Sequence, residues 1–449
     1  MLTNTKNSNL MTARYRSPFN GQGLRANIPR YTNNKRDKLA DPWNQTLDDL
    51  RTGNLVPQQE QKTQQAQLTP QLTQQLAQRL SPPITQIHGA TTPGYKKTAS
   101  TTEDAHTYIT TPECAVSVVA DGHGGTDENP TGRAIAQFSV ASVKEFTQMI
   151  SPQLATMTPE ELEHSIKKFF IELDEASRVL LRNMEHGNTI DAQGVVRNFY
   201  GHPIHGGSTL TCVWVFMRDG QRVALVANVG DSEVYLLKRH KISGVVSYQE
   251  LSTTHEPSSQ TEFLRIHNSD LPVKLKLCYK QKNPLSRGSY LFPEIFDATL
   301  EGDDIRVREF ARNPWGNGLT PSTVRYDIST YAISPPRSRG VQVAMTRCIG
   351  DFYGKDMGLI PVPSQQTIIL DTSDDTSDEY DKLLVNASDG VWDCHKYQEF
   401  AEMMFEKLNT MPTLAECVES MVVDTKAIAI AKFGGAPGVD DITLVCMQI

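Results

Sequence analysis

From Tyr95 to the C-terminus, short apolar runs of strand length alternate with turn residues and with a few long amphipathic stretches. The pattern predicts strands at Ala115–Ala120, Ser208–Phe216, Val223–Val229, Glu233–Lys238, Val341–Met345, Lys382–Ala387 and Ile442–Ile449. Several of them end directly in an acidic residue. Helix starts are sharper. Thr158-Pro159-Glu160-Glu161 sets an N-cap threonine, a first-turn proline and a capping-box glutamate ahead of an apolar face that runs to about Met184. Thr413-Leu414-Ala415-Glu416 repeats the box before a helix to about Lys432, where Gly434 and Gly435 stop it. Two further helices are predicted at Gly132–Met149 and Lys396–Leu408.

Early and late strands enclose these helices, which makes the domain mixed α+β. The run between Glu256 and Val341 has weak periodicity and many Pro, Arg and Lys, and reads as a large flap insertion at about 257–340. Residues 186–206 read as a smaller loop insertion. Ahead of the patterned region, residues 1–90 are rich in Gln, Asn, Thr and Pro and hold too little apolar surface to offset their ordering entropy. They are expected to be a disordered tail with a transient helix near Gln71–Leu80, leaving 91–449 as the folded domain.

Bulk properties narrow the partners. The 449-residue chain has a net charge of −8, so no global basic field recruits nucleic acid. No stretch approaches the roughly 18 apolar residues of a membrane span, and a soluble, monomeric protein is expected. The seven cysteines are scattered without zinc-like spacing and read as reduced, buried thiols of an intracellular protein, cytoplasmic or nuclear. The first 40 residues carry Lys6, Arg14, Arg16, Arg25, Arg30, Lys35, Arg36 and Lys38 against Asp37 alone. A solvated basic tail is the expectation, with mitochondrial targeting as the alternative.

The chemistry lies at the strand ends. Val118-Val119-Ala120-Asp121-Gly122-His123-Gly124-Gly125 delivers a carboxylate from a buried run into glycines that let an ion approach the backbone. The same design recurs at Asp389 and Asp393, at Gly230-Asp231, at Gly350-Asp351, and at Asp440-Asp441. Oxygen ligands without a His or Cys cluster suit Mg²⁺ or Mn²⁺ rather than zinc. Taken singly, each aspartate serves equally well as a turn cap, and Asp231 and Asp351 as hairpin residues.

In order along the chain, Glu103-Asp104-Ala105-His106, Asp121–Gly125, Gly207-Ser208-Thr209, Ala227–Ser232, His255-Glu256-Pro257, Arg347–Asp351, Ala387–Asp393 and Asp440–Thr443 resemble the metal-dependent serine/threonine protein phosphatases of type 2C over roughly 94–449. The resemblance implies a four-layer α/β/β/α sandwich, two antiparallel β-sheets flanked by helices, that acts on phosphoprotein substrates. It implies that Asp121 bridges two metals, with Asp389 and Asp440 completing one site and Glu103 and the Gly122 carbonyl the other. By the same resemblance Asp104 orients the attacking water, His123 is the general acid, and Asp231 and Asp393 match positions that hold a third metal. The arginine that family members often carry four residues before the glutamate is here Ala99, and Lys96 and Lys97 are the candidate phosphate contacts in its place. Two alternatives stay open: a catalytically weak or inactive scaffold that binds a partner protein, and a hydrolase of small phosphoesters or nucleotides.

Overall fold

A strand that is apolar on both faces needs cover on both sides, and this requirement sets the layers of the domain. The computed structural model describes residues 84, 86–94, 102–126, 129–286, 289–297, 306–308, 319, 323–325, 327–336, 340–371, 379–433 and 439–449. All of these fall within one compact unit, Gln61–Ile449. The strands used below are β1 (Gln86–Thr92), β2 (Ala105–Thr110), β3 (Cys114–Ala120), β4 (Leu210–Arg218), β5 (Gln221–Val229), β6 (Glu233–His240), β7 (Val246–Glu250), β8 (Lys276–Tyr279), β9 (Thr330–Ile333), β10 (Gln342–Val343), β11 (Ser364–Ile369), β12 (Tyr380–Ala387) and β13 (Ile442–Gln448). The helices are α1 (Thr131–Ile150), α2 (Pro159–Met184), α3 (Gln260–His267), α4 (Asp389–Trp392), α5 (Tyr397–Thr410) and α6 (Leu414–Phe433).

Two five-stranded antiparallel sheets stack, ordered β1-β13-β12-β6-β7 and β2-β3-β4-β5-β11. Alternation along β6 shows why. Val234 and Leu236 face the other sheet and meet Val213, Val215 and Val226, while Tyr235 and Leu237 face outward onto Phe400 and Met404 of α5. Strand β12 divides likewise, Leu384 inward and Leu383 and Val385 outward. Across the second sheet, Trp214 donates its indole N–H to Thr147 of α1 at 3.0 Å, and Phe146 stacks on Phe169 of α2 at 4.2 Å. The result is the four-layer α/β/β/α sandwich.

The capping-box reading of α2 holds at the atomic level: Glu161 N–H donates to Thr158 Oγ1 at 3.2 Å, and Thr158 N–H donates to Glu161 Oε2 at 2.9 Å. Several expectations need correction. The tail boundary at residue 90 cuts through β1, which pairs along its whole length with β13, and Ile84 is already buried in the intersheet core. Its sequence, Gln-Ile-His-Gly-Ala-Thr-Thr, is too polar to stand out beside a glutamine-rich segment, since an edge strand is covered on one face only. Edge strands β2, β7 and β11 were missed for the same reason. Ser208 belongs not to β4 but, with Gly207, to a short strand between Gly122–His123 and Ile349–Gly350. Val341–Met345 contributes only Gln342–Val343. The Gln71–Leu80 helix lies outside the described residues. Each of the seven cysteines is free and buried. No described helix is long and apolar enough to cross a membrane.

The run after Glu256 has a core of its own. Strands β8, β9 and β10 form a three-stranded sheet on which Leu277, Ala332 and Val343 pack with Phe296 and Met345. Glu262 of α3 fixes this subdomain to the chain segment before Asp351. Its buried carboxylate receives Arg347 at 2.6 Å, Arg265 at 2.8 Å and the Thr346 hydroxyl at 2.7 Å. Burial alone would raise its pKa, but hydrogen bonds and charge from Arg347 and Arg265 hold it down at about 2. Because the folded value lies below the ordinary 4.5, this stabilisation, about 3 kcal/mol, is present above pH 4.5 and is lost as pH falls toward 2. Glu262→Ala is expected to cost about 3–5 kcal/mol at pH 7, since two guanidiniums lose their buried partner. In urea unfolding, the gap from wild type should shrink markedly at pH 3; an unchanged gap would contradict the assignment.

Candidate active site

The strand ends that carry carboxylates converge on a cleft of 340 Å³. Asp121 follows β3, Asp231 sits in the turn from β5 to β6, Asp389 opens α4 beyond β12, and Asp440 precedes β13. All four line the cleft together with His123 and Asp351. The facing wall comes from β9 and the β10 segment through Tyr331, Gln342 and Met345. Asp231 is therefore both things expected of it, a turn residue and a cleft carboxylate.

Hydrogen bonds to neighbouring backbone and hydroxyl groups fix these positions. Asp121 N–H donates to Thr209 Oγ1 at 2.9 Å, and its carbonyl accepts Thr209 N–H at 2.9 Å. Gly122 lies so close to Gly132 and the Glu103 carbonyl that a Cβ there would fall within 2.7 Å of both oxygens. Only glycine fits at that point. His255 Nδ1 lies 3.2 Å from both the N–H and the carbonyl oxygen of Gly230, and its Nε2 is hydrogen-bonded with Ser364 Oγ at 2.8 Å. Burial, reinforced by Arg347, holds that imidazole neutral with a pKa of about 3. The Thr254–Pro257 stretch thus supplies a histidine that braces the Asp231 turn.

Three other described candidates, Glu103, Asp104 and Asp393, act on the cleft cluster through their charges. Asp104 is buried and accepts the Ser388 hydroxyl at 2.9 Å; burial, then Asp440 and Asp441, raise its pKa to about 8. Its charge acts directly on Asp121. Glu103 is placed through its backbone, whose N–H donates to Asp441 Oδ2 at 2.8 Å, while Asp441 Oδ1 accepts Gly94 N–H at 2.7 Å. Asp393 caps α4, its N–H donating to the Asp389 carbonyl at 2.7 Å. Its own carbonyl accepts Val324 N–H at 3.0 Å. Lys96, Lys97 and Ala99 lie outside the described residues.

Electrostatically the cluster is frustrated. Burial, then the neighbouring acids, raise Asp121, Asp231 and Asp393 well above the carboxylate range, and Asp389 to about 6. Asp389 is in hydrogen-bond contact with Asp121, yet among the described residues its buried Oδ1 has no hydrogen-bond partner. Among the described residues no group of three His, Cys, Asp or Glu side chains is already placed closely enough to hold a metal ion. An all-oxygen set with mutual repulsion and an unpartnered buried oxygen fits hard divalent cations, which would supply the missing positive charge.

His123 has one firm partner. Its Nε2 lies 2.6 Å from Oδ2 of the fully buried Asp351. Burial by itself disfavours the imidazolium, but the Asp351 charge and hydrogen bond outweigh it and raise the His123 pKa above its usual value. The carboxylate is correspondingly lowered. Gly207 makes room for the pair, since a Cβ there would overlap both the Asp351 carboxylate and His123 Nε2. This arrangement leaves Nδ1–H as the proton His123 can give. In the sequence Asp351 reads as a strand-end carboxylate or a hairpin residue, and nothing in the chain between positions 123 and 351 signals its contact with His123.

A model of the protein phosphatase 2C family matches residues 91–283 and 331–432, well over half of the chain. It leaves out 284–330, the middle of the predicted insertion, while 257–283 and 331–340 fall inside the match. A probable protein phosphatase 2C of Caenorhabditis elegans is 24% identical over 353 residues, spanning 77% of this chain and 70% of that one. An Arabidopsis thaliana probable protein phosphatase 2C is 32% identical over 126 residues, or 28% of this chain and 34% of that one. Among solved structures, a serine-threonine phosphatase 2C from Toxoplasma gondii aligns with a TM-score of 0.49 at 16% identity, covering 82% of this chain and 96% of that one.

Proposed function

The chain belongs to the protein phosphatase 2C family and is a metal-dependent protein serine/threonine phosphatase; from that premise we propose that it hydrolyses phosphoserine and phosphothreonine esters with the Asp121–His123 cleft, through two divalent cations. In this reading Asp121, Asp389, Asp440, Glu103 and the Gly122 carbonyl hold Mg²⁺ or Mn²⁺, with Asp231 and Asp393 available to a third ion. Bound there, the cations supply a lowered pKa for the attacking water and neutralise the phosphoryl oxygens. His123 gives its Nδ1 proton to the departing serine or threonine oxygen. Asp351 keeps that imidazole charged and oriented. Asp104, which accepts the Ser388 hydroxyl, orients the attacking water. The observation that carries the proposal is the convergence of four strand-end carboxylates with a His–Asp ion pair on one cleft.

An open cleft walled partly by the β8-β9-β10 subdomain favours a peptide over a free nucleotide. With Mn²⁺ present, the full-length protein should turn over a phosphothreonine peptide with a kcat/KM at least about tenfold above that for nucleoside mono- and triphosphates. A nucleotide preference would overturn the substrate assignment and leave the metal chemistry standing.

A further inference from the structure

A phosphate monoester must enter a cleft whose walls carry Asp121, Asp231, Asp351, Asp389 and Asp440. Of the described residues lining it, only His123 and His205 have side chains that can carry a positive charge. His123 is engaged with Asp351. His205 is not. From this we infer that His205 holds an oxygen of the substrate's phosphate group, an inference that rests on the phosphatase reading above.

The residue is built into place from both sides. Its carbonyl accepts the Thr131 hydroxyl at the start of α1 at 2.5 Å, and the next carbonyl, that of Gly206, accepts Asp351 N–H at 2.8 Å. The backbone at 205–207 is thus clamped between the loop of His123 and the loop of Asp351. Gly124, the next residue after His123, packs so closely that a Cβ on it would lie 3.0 Å from the Gly206 Cα. The imidazole rests on the ring of buried Tyr353 with centroids 4.3 Å apart and planes tilted by 42°. Backbone and ring plane are therefore set, while the residue stays exposed and neither ring nitrogen bonds to a described residue. A donor fixed this way loses little freedom when an anion arrives. Both imidazoles line the same cleft, and the His205 backbone packs against Gly124, the residue after His123, so the contact is assigned to the phosphoryl group and not to a distant peptide subsite.

Because His205 is exposed, its replacement should leave the fold intact. The test uses the full-length protein with Mn²⁺, a phosphothreonine peptide, p-nitrophenyl phosphate, and inorganic phosphate as product inhibitor. His205→Ala should raise KM for both substrates, and Ki for inorganic phosphate, by about tenfold, the size of a lost charge-assisted hydrogen bond. The kcat should stay within about twofold of wild type. His205→Arg should restore KM and Ki. Unchanged constants in His205→Ala would overturn the inference, and so would a rise confined to the peptide KM, which would move the contact to the peptide chain. An inactive wild type would instead defeat the phosphatase reading, and calorimetric affinity of the Mn²⁺-supplied protein for inorganic phosphate would then decide the role of His205 alone.

Discussion

His123→Gln is expected to lower kcat for a phosphothreonine peptide by about 10²–10⁴, the usual worth of a positioned general acid, while p-nitrophenyl phosphate loses far less. The difference follows from the leaving groups. An alkoxide of threonine needs a proton as the P–O bond breaks, whereas nitrophenolate departs without one. The proposed donor is held in a way that suits this use: Asp351, fully buried, lies 2.6 Å from Nε2 and raises the imidazole's pKa. Asp351→Asn should show the same leaving-group asymmetry in weaker form, because the neutral amide still orients the ring but no longer favours its charge. Equal losses on both substrates would remove His123 from the acid role and make it a residue of the cation site.

Asp121→Asn is expected to abolish metal-dependent turnover, a loss of at least about a hundredfold, and yet to stabilise the metal-free protein. Both effects come from one repulsive cluster. In the absence of cations, burial and the charges of Asp104, Asp389, Asp440 and Asp231 push the Asp121 pKa far up. A group raised in the folded state costs stability once the pH exceeds its unfolded value, so a neutral amide removes that cost at pH 7. Thermal unfolding in a chelator should give the variant the higher Tm. Added Mn²⁺ should raise Tm for wild type and much less for the variant. A variant that gains as much from Mn²⁺ as wild type does would contradict the ligand assignment.

How far the sequence reached depended on whether the relevant physics was local. The capping box at Thr158 and the N-cap at Thr413, whose hydroxyl accepts Glu416 N–H, involve residues three apart, and the helices they open are legible almost to the residue. Runs such as Leu383–Ala387 are apolar on both faces because both are covered, which made the central strands visible. Edge strands lack that mark, and β1 disappeared into a glutamine-rich context. At the site, aspartates directly after buried strands were legible one by one, since a strand end beside glycines is a local pattern. Pairings across the fold were not. Asp351 with His123, Glu262 with Arg347, and Asp441 with the backbone of Glu103 join residues 85 to 338 positions apart. His205 was passed over altogether, because its place in the cleft depends on Thr131, Tyr353 and Gly206, none of which marks it in the chain.

The central claim is that the carboxylate cleft hydrolyses phosphoesters through bound divalent cations. The most direct test is one titration of the full-length protein with Mn²⁺, following heat of binding and phosphothreonine-peptide hydrolysis together, with Asp121→Asn run beside it. The account predicts that turnover rises with the same midpoint as metal binding in wild type and that both signals are lost in the variant. Binding without turnover, or turnover that is indifferent to Mn²⁺ and to Asp121, would contradict it.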